Sequence, residues 1–259
     1  MSSVTDMPTT QRQTIHYPES DGQPMADTTL QFQWIVLIKE NLATLFRARD
    51  DVFVAGDLLW YPVEGRRDLC RAPDTMVVFG RPKGHRGSYK QWEEGQIAPQ
   101  VVFEVRSPAN SFKEMADKLL FYDRYGVEEY YLYDPEPEKN EVTGFQRQED
   151  RLRTIDEMNG WVSPRLGIRF DTSGAELRIF APDGTPFRSH EEIELERAAE
   201  QKARQQAEQE REQERSARRQ VEQECDQERQ RAERLAARLR EMGIDPEGLE
   251  GESSPDTEQ

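Results

Sequence analysis

The sequence changes character near residue 190, and this change limits what each part of the chain can fold into. Aromatic and branched aliphatic residues are frequent up to about Phe187, whereas residues 191–242 are almost wholly Glu, Gln, Arg and Ala. Such a composition favours a helix but lacks the apolar side chains that a globular core requires. We therefore predict four segments: a flexible arm at 1–26, a globular domain at 27–190, a charged helix or coiled coil at 191–243 and a disordered acidic tail at 244–259.

The charged helix carries a seven-residue repeat along its last part. Val221, Glu228, Leu235 and Met242 recur every seven residues and are interleaved four residues later by Cys225, Ala232 and Leu239. This is an a/d pattern typical of a coiled coil. Upstream, the same register places arginines at the core positions, namely Arg197, Arg204, Arg211 and Arg218. The pattern therefore leaves open a solvated single helix, a homo-oligomer or a surface for a protein partner.

The charge of the chain limits how it can bind nucleic acid. The formal net charge is -16, and residues 1–190 alone hold 30 acidic and 23 basic residues. Because phosphate binding depends largely on Lys and Arg, a broad basic binding surface is excluded. An acidic domain can still act on a phosphodiester if a cation offsets its carboxylates.

The chain contains two cysteines, Cys70 and Cys225, on opposite sides of the predicted boundary and without a nearby Cys or His cluster. This excludes a disulfide framework and a structural zinc site. The N-terminal residues lack the apolar core of a signal peptide, and no run approaches the roughly 20 apolar residues of a membrane span. We expect a soluble, cytoplasmic protein.

Hydrophobic spacing predicts an α/β or α+β domain with a small mixed sheet flanked by helices. A first helix follows the capping residues 27–29 and ends near residue 47, and a second helix spans about 111–125. Its apolar stripe contains Phe112, Met115, Leu119 and Tyr122. Strands are predicted at 52–55, 58–61, 75–79, 101–105 and 129–133. Weaker signals at 141–146, 166–170 and 176–180 indicate strands that either extend the sheet or cap it as hairpins. The strand, helix, strand order around the second helix predicts a parallel crossover.

Two carboxylates stand in apolar strand surroundings, Asp74 in RAPDTMVVFG and Glu104 in PQVVFEVRSP. Each would be costly to bury without a partner, and a shared cation would explain both. Oxygen ligands suit Mg²⁺, which keeps several waters. Taken alone, Asp74 is more simply a turn residue, whereas Glu104 interrupts a run that is typical of a buried strand.

Two lysines follow Glu104 on the second helix. At about 100° per residue, Lys118 lies at the edge of the buried stripe, whereas Lys113 points to the opposite, solvated face. Lys118 is therefore the lysine that can turn back toward Glu104. A lysine at such a position is most often a snorkelling surface residue, but the three residues together are more specific than each alone.

Several segments resemble those of the Uma-type restriction endonuclease family of bacteria, within the PD-(D/E)xK nuclease superfamily. The resemblance covers roughly residues 17–180, and the charged helix with its end RLAARLREMGIDPE is also similar to tails in that family. The segments are YPESDGQPMAD, AGDLLWYPVEG, RAPDTMVVFG, SYKQWEEGQIAPQVVFEVRSPAN and MADKLLFYDRYGVEEYYLYDP.

This resemblance implies a restriction-endonuclease-like core, with Asp74 and Glu104 as ligands of a divalent cation, Mg²⁺ or Mn²⁺. The superfamily motif has lysine two residues after the glutamate, where this chain has Arg106. In the family the lysine is commonly supplied by the following helix, and Lys118 occupies that place. Arg106 either contacts phosphate or pairs with a carboxylate, and we favour pairing.

Other residues are weaker candidates. Asp57 is either a third acid near the site or, more simply, a turn residue, and Asp27 is interpreted as a helix cap. The basic stretch 80–92 either follows a nucleic-acid backbone or is an ordinary surface loop. Three histidines lie in loop-like segments without an arrangement for metal binding or catalysis: His16, His85 and His190.

Two functions follow from these patterns. In the first, the protein is a Mg²⁺-dependent endonuclease that acts on DNA, with Asp74 and Glu104 as metal ligands and Lys118 as a catalytic cation. In the second, a nuclease-derived domain is inactive or regulated, and the charged helix recruits a partner or a second copy.

Overall fold

The structure is a computed structural model, which describes residues 15–22, 24–137 and 139–243. By their contacts, these residues form two units, one ending at Glu192 and the other beginning at Ile193. The predicted tail, 244–259, and the first part of the predicted arm, 1–14, lie outside the described residues.

The first unit contains two helices and ten strands among the described residues, and a third helix continues into the second unit. In chain order the elements are α1 (Thr29–Leu45), β1 (Val52–Ala55), β2 (Trp60–Tyr61), β3 (Thr75–Phe79), β4 (Tyr89–Lys90), β5 (Val101–Val105), α2 (Phe112–Arg124), β6 (Glu129–Asp134), β7 (Glu141–Gln148), β8 (Arg151–Thr154), β9 (Arg169–Asp171), β10 (Arg178–Phe180) and α3 (His190–Glu241).

A six-stranded mixed sheet forms the centre of the first unit, with strand order β1-β3-β5-β6-β7-β8. Strands β5 and β6 pair in parallel, whereas the other neighbours in this sheet pair antiparallel. The parallel pair encloses α2 in sequence, which confirms the predicted crossover. The mixed α/β fold class is therefore confirmed.

Strand alternation divides the core into two clusters on opposite faces of the sheet. On β5, Val101, Phe103 and Val105 belong to the cluster that includes the buried residues of α1. Val102 belongs to the other cluster, which includes Phe121 and Tyr122 of α2. Glu104 follows the same alternation as Val102, so its side chain points toward α2.

Both short helices begin at side chains that cap them. The Oγ1 atom of Thr28 accepts a hydrogen bond from the backbone N–H of Gln31 at 3.1 Å, and Ser111 caps α2 in the same way. The C-terminal glycine predicted for α2 is Gly126, with φ +92°. The predicted apolar stripe of α2 was wrong at Phe112, which is exposed because it precedes the part of the helix that packs on the sheet.

The weaker strand signal at 141–146 is confirmed by β7, whereas other strand predictions differ in part from the structure. The strand predicted at 58–61 is limited to β2, which pairs in parallel with β4, a strand without a sequence signal. Strands β9 and β10 pair with each other outside the central sheet, which is the hairpin alternative for the weaker signals at 166–170 and 176–180. Strand β8 extends the sheet through a hairpin with β7, although its residues are polar and mostly exposed. Edge strands of this kind depend on backbone pairing, which leaves little hydrophobic pattern.

The last part of the predicted arm lies along the domain. The ring of Tyr17 packs against Tyr61 and Trp92 at centroid distances of 5.1 and 5.0 Å. The hydroxyl of Tyr61 donates a hydrogen bond to the carbonyl of Pro18 at 2.9 Å. These contacts hold the segment that leads to the mouth of the cleft described below.

Helix α3 is 52 residues long and has no buried residue in its described part. Ion pairs along its surface, such as Arg218 with Glu214 at 3.0 Å, provide the i,i+4 contacts expected of a solvated charged helix. Val221, Leu235 and Met242 are all exposed. Among the helices of the described chain, none is both long and apolar enough to cross a membrane.

The core packing of α1 generates a stability prediction. Leu42 is fully buried, whereas Leu120 on α2 is largely exposed. We expect Leu42→Ala to lower the free energy of unfolding by about 2–5 kcal/mol, because it creates a cavity in the core. The matched change Leu120→Ala should cost less than about 0.5 kcal/mol. Urea unfolding followed by tryptophan fluorescence measures this, since all four tryptophans lie before residue 193. Equal losses in the two variants would contradict the described packing.

Candidate active site

The site lies where β3 and β5 run beside each other under α2. Their antiparallel register pairs Thr75 with Phe103 and Met76 with Val102. Continued by one residue, the register places Asp74 opposite Glu104, on the face of the sheet that α2 covers. Residues opposite each other in antiparallel strands have side chains about 5 Å apart. The structure therefore brings together the two carboxylates that the sequence selected.

Glu104 is buried, with 1% of its surface exposed, and both of its carboxylate oxygens accept hydrogen bonds from α2. The ammonium group of Lys118 lies 2.7 Å from Oε2, and the hydroxyl of Tyr122 donates to Oε1. Lys118 and Tyr122 are four residues apart, so they share one face of the helix. The buried charge of Glu104 is thus compensated by one cation and one neutral donor.

Asp74 has a different environment. Its Oδ2 atom accepts a hydrogen bond from the backbone N–H of Val105 at 2.6 Å. Burial raises the pKa of Asp74 well above the ordinary value, and the negative charge of Glu104 raises it further. The positive charge of Lys118 and the hydrogen bond from Val105 oppose this rise only in part. Asp74 therefore retains a proton to higher pH than an exposed aspartate would.

The two α2 residues remain in their donor forms. Burial by itself lowers the pKa of Lys118, but the charges of Glu104 and Asp74 and the hydrogen bond to Glu104 outweigh it and raise that pKa. The pKa of Tyr122 is raised well above its ordinary value by burial and then by the charge of Glu104. At neutral pH, Lys118 is therefore positively charged and Tyr122 is a neutral phenol.

An open cleft of about 610 Å³ leads to Asp74 and Lys118, which form part of its wall. Glu104 lies behind this wall, in contact with Lys118. The cleft is rich in acidic side chains, and its lining includes Asp21, Asp27, Asp57, Glu114, Asp117, Arg71 and Lys113. Lys113 is exposed, as the helical spacing predicted, but the structure adds that it lies along the same cleft as Lys118.

Asp57 combines the two roles that the sequence left open. It follows β1 in a bend and adopts a left-handed backbone conformation, with φ +49°. It also lines the cleft, where burial raises its pKa, followed by the negative charges of Asp21 and Glu104. Asp57 is therefore a turn residue whose carboxylate is electrostatically coupled to the site.

Asp27 does not cap α1, because Thr28 does so. The interpretation of Asp27 as a cap is corrected: its Oδ2 atom accepts a hydrogen bond from the hydroxyl of Ser107 at 2.6 Å. Next to it, the side-chain amide of Gln31 donates to the carbonyl of Val105 at 2.8 Å. These two bonds attach the start of α1 to the end of β5, directly after Glu104. Gln31 was not predicted as part of the site, because a polar residue on a helix face gives no sign in the sequence of a buried partner.

Arg106 pairs with a carboxylate, as the sequence analysis favoured. Its Nη1 atom lies 2.9 Å from Oδ2 of Asp134, at the end of the neighbouring strand β6. Asp134 also contacts Lys139 at 3.3 Å. Arg106 therefore stabilises the ends of β5 and β6, and its guanidinium is directed to Asp134 rather than to Glu104.

The basic side chains of the stretch 80–92 are engaged within the domain. Arg81 and Arg86 both bind Glu94, at 2.7 and 2.6 Å. Lys83 donates to the carbonyl of Arg47, and Lys90 contacts Glu93. These contacts within the domain favour the interpretation of this stretch as a surface loop. The three histidines are exposed and lie outside the lining of the cleft: His16, His85 and His190.

The donor set of the site suits one divalent cation bound through few protein ligands. In the part of the chain that the structure describes, no group of three or more His, Cys, Asp and Glu side chains is arranged to hold a metal ion. Two facing carboxylates are nevertheless a typical protein contribution to a Mg²⁺ site, in which water and substrate oxygens complete the shell. The repulsion that raises the pKa of Asp74 would be relieved by such a cation. Asp74 and Glu104 therefore fit the cation.

Comparisons with known proteins identify the family of the chain. Residues 3–179 match the Uma2 family, whose description is "Putative restriction endonuclease". Among solved structures, the chain is similar to a "putative nuclease belonging to DUF820" from Anabaena variabilis, with 16% identity, a TM-score of 0.39 and coverage of 53% of this chain and 72% of that one. None of the curated proteins matches the chain. The matched range includes Asp74, Glu104 and Lys118.

The raised pKa of Asp74 predicts how stability depends on pH. Between its unfolded pKa, about 3.9, and its higher folded pKa, the folded protein holds a proton that the unfolded chain has lost. Stability is therefore lost through this group as pH rises across that interval. We expect Asp74→Asn, which keeps an acceptor for Val105, to be more stable than the unmodified protein in EDTA at pH 7.5. This advantage should shrink toward pH 4, as measured by urea unfolding. A constant difference between pH 4 and 7.5 would contradict the raised pKa.

Proposed function

We propose a function for this chain from the premise that it belongs to the Uma2 family of restriction-endonuclease-like proteins. The protein is an endonuclease that hydrolyses phosphodiester bonds of DNA and requires Mg²⁺ or Mn²⁺. The observation that supports this proposal is that Asp74 and Lys118 line one cleft, with Glu104 directly behind them at 2.7 Å from the Lys118 ammonium. The family description motivates DNA as the substrate.

Each residue has a separate role in this proposal. Asp74 and Glu104 hold the cation, which when bound polarises the phosphate and lowers the pKa of the attacking water. Lys118 supplies a positive charge close to the reacting phosphate, where it stabilises the negative charge that develops during hydrolysis. Tyr122 does not reach the cleft lining, and it positions Glu104 through its hydrogen bond.

The charge of the cleft supports a requirement for the cation. Asp57, Asp74 and Glu104 influence one another electrostatically, and Lys118 is the cation that affects both Asp57 and Asp74. A phosphate would be repelled from this group of charges unless a divalent ion offset them. We therefore expect weak, cation-dependent DNA binding.

The two cysteines support a proposal for the cellular setting. Cys70 and Cys225 are both free, which suits a reducing compartment. We propose that the protein acts in the cytoplasm.

The proposal predicts the effect of removing Lys118. Purified full-length protein should nick or cut plasmid DNA with Mg²⁺, and Lys118→Met or Glu104→Gln should lower the rate about 100-fold or more, as for other groups that stabilise transition-state charge. Gel analysis of supercoiled, nicked and linear plasmid measures the rate. The matched control is Lys202→Met, which removes the same charge from the exposed surface of α3.

Tryptophan fluorescence must show that each variant is folded, because Lys118→Met leaves the buried Glu104 without its ion pair. Undiminished cleavage by folded Lys118→Met would contradict the role of this lysine. Cleavage that persists in excess EDTA would contradict the requirement for a divalent cation.

A second candidate function is association through α3. The proposal is motivated by an exposed apolar seam at core positions of the heptad pattern, formed by Val221 and Leu235 of α3 and by Met242 directly after it. A helix pair would bury this seam. We propose that α3 binds a second copy or a protein partner, either beside the nuclease activity or in its place.

The seam predicts an effect of Leu235→Glu on the mass of the full-length protein. If α3 self-associates, light scattering should show a concentration-dependent mass that this change abolishes. Leu195→Glu is a matched control, since Leu195 is similarly exposed, 65% against 58%, but lies outside the core positions. A monomer mass at all concentrations for the unmodified protein would exclude self-association.

A further inference from the structure

Glu104 has both oxygens occupied by α2, and this has a consequence for cation binding. Oε2 contacts the Lys118 ammonium at 2.7 Å, and Oε1 accepts from Tyr122. In contrast, Asp74 accepts one hydrogen bond from the described residues, at Oδ2 from Val105. A cation held by Asp74 and Glu104 would therefore share or take an oxygen that one of the two α2 side chains contacts.

The two donors differ in how easily they can leave. Tyr122 is fully buried between Trp60, Phe121 and Tyr130, with which its ring makes close aromatic contacts. Lys118 keeps 17% of its side chain exposed and forms part of the cleft wall. Its long stem has several rotatable bonds, and its head can move into the cleft without disturbing the core. Lys118 is therefore the donor that can leave Glu104.

Electrostatic repulsion also indicates that a cation on Glu104 would displace Lys118 and not Tyr122. A divalent cation on Glu104 would lie within a few ångströms of an ammonium on the same carboxylate, and two positive charges at that separation repel strongly in a partly buried site. Tyr122 carries no positive charge, so it does not repel a cation. It can continue to orient Glu104 while the other oxygen changes its partner.

We propose that Lys118 and the divalent cation compete for Glu104, so that cation binding releases Lys118 from Glu104 into the cleft. This inference rests on the proposed function, because it concerns the same cation site. Before release, Lys118 neutralises Glu104. After release, its ammonium is available for a phosphate in the cleft. Cation binding thus makes the positive charge of Lys118 available to the substrate. Tyr122 is the positioning residue, because it keeps its hydrogen bond to Glu104 before and after the release of Lys118.

The competition predicts an unusual property of Lys118→Met, which should bind the cation more tightly although it cannot cleave DNA. Calorimetric titration of full-length protein with Mn²⁺ alone, and separately with Mg²⁺, measures the affinity at fixed pH without nucleic acid. We expect roughly tenfold tighter binding by Lys118→Met, because a competing charge on Glu104 is removed. Lys118→Arg, which keeps the charge, should stay within about twofold to threefold of the unmodified protein.

The matched control is Lys113→Met, which removes the same charge from the same cleft without a contact to Glu104 among the described residues. It should change the affinity by less than about twofold, because an exposed charge is well screened. Equal tightening in Lys113→Met and Lys118→Met would show a general charge effect and overturn the competition. Unchanged or weaker binding by folded Lys118→Met would overturn it as well.

The outcomes separate this inference from the proposed function. If the unmodified protein and Lys118→Met both fail to bind Mn²⁺ and Mg²⁺, the cation site itself is wrong and both proposals fall. If the unmodified protein binds the cation and Asp74→Asn does not, the proposed cation site is supported. The cation affinity of Lys118→Met then tests the competition separately.

A measurement on the unmodified protein covers the case in which Lys118→Met does not fold. An ammonium that is ion-paired and partly buried should give a side-chain NMR signal in isotopically labelled protein treated with EDTA, identified by its loss in Lys118→Arg. Addition of saturating Mg²⁺ should shift or broaden this signal as Lys118 leaves Glu104. A signal that is unchanged by bound Mg²⁺ would overturn the proposal.

Discussion

The buried charge of Glu104 is the constraint on which the rest of the site depends. A carboxylate with 1% exposure is stable only with close partners, because an unpaired buried charge costs several kcal/mol. Lys118 and Tyr122 provide these partners from successive turns of α2. The helix must therefore pack with this face against β5, and the position of α2 in turn shapes one wall of the cleft.

Val105 links the site to the other side of the sheet. Its N–H donates to Asp74, and its carbonyl accepts from Gln31 of α1. Val105, the residue immediately after Glu104, thus connects β5 both to Asp74 and to α1. This arrangement holds the two carboxylates close together despite their repulsion, and a nearby Asp57 adds to the negative potential. A site built in this way is well suited to a cation, which is the chemical basis of the proposed nuclease.

The parts of the fold with strong periodicity were predictable. The sequence predicted β3, β5 and the capping of α1 at residues 27–29 because apolar runs and N-cap side chains are local signals. Other features lacked such a signal. The short parallel pair of β2 and β4 depends on backbone bonds between distant segments, and Phe112 is exposed although it fits the helical stripe. Periodicity describes which residues share a face, but not how far along the helix that face is covered.

Within the site, the sequence alone determined which residue types were available: two acids in apolar strands, a lysine on the following helix and a separate charged segment after residue 190. Composition and spacing are local properties, so one sequence is enough to see them. Tertiary structure decided that Asp74 stands opposite Glu104, that Tyr122 shares Glu104 with Lys118, and that Asp27 binds Ser107 instead of capping a helix. These contacts join segments up to 80 residues apart, and their geometry depends on strand register and helix packing, which arise only when the whole domain is folded.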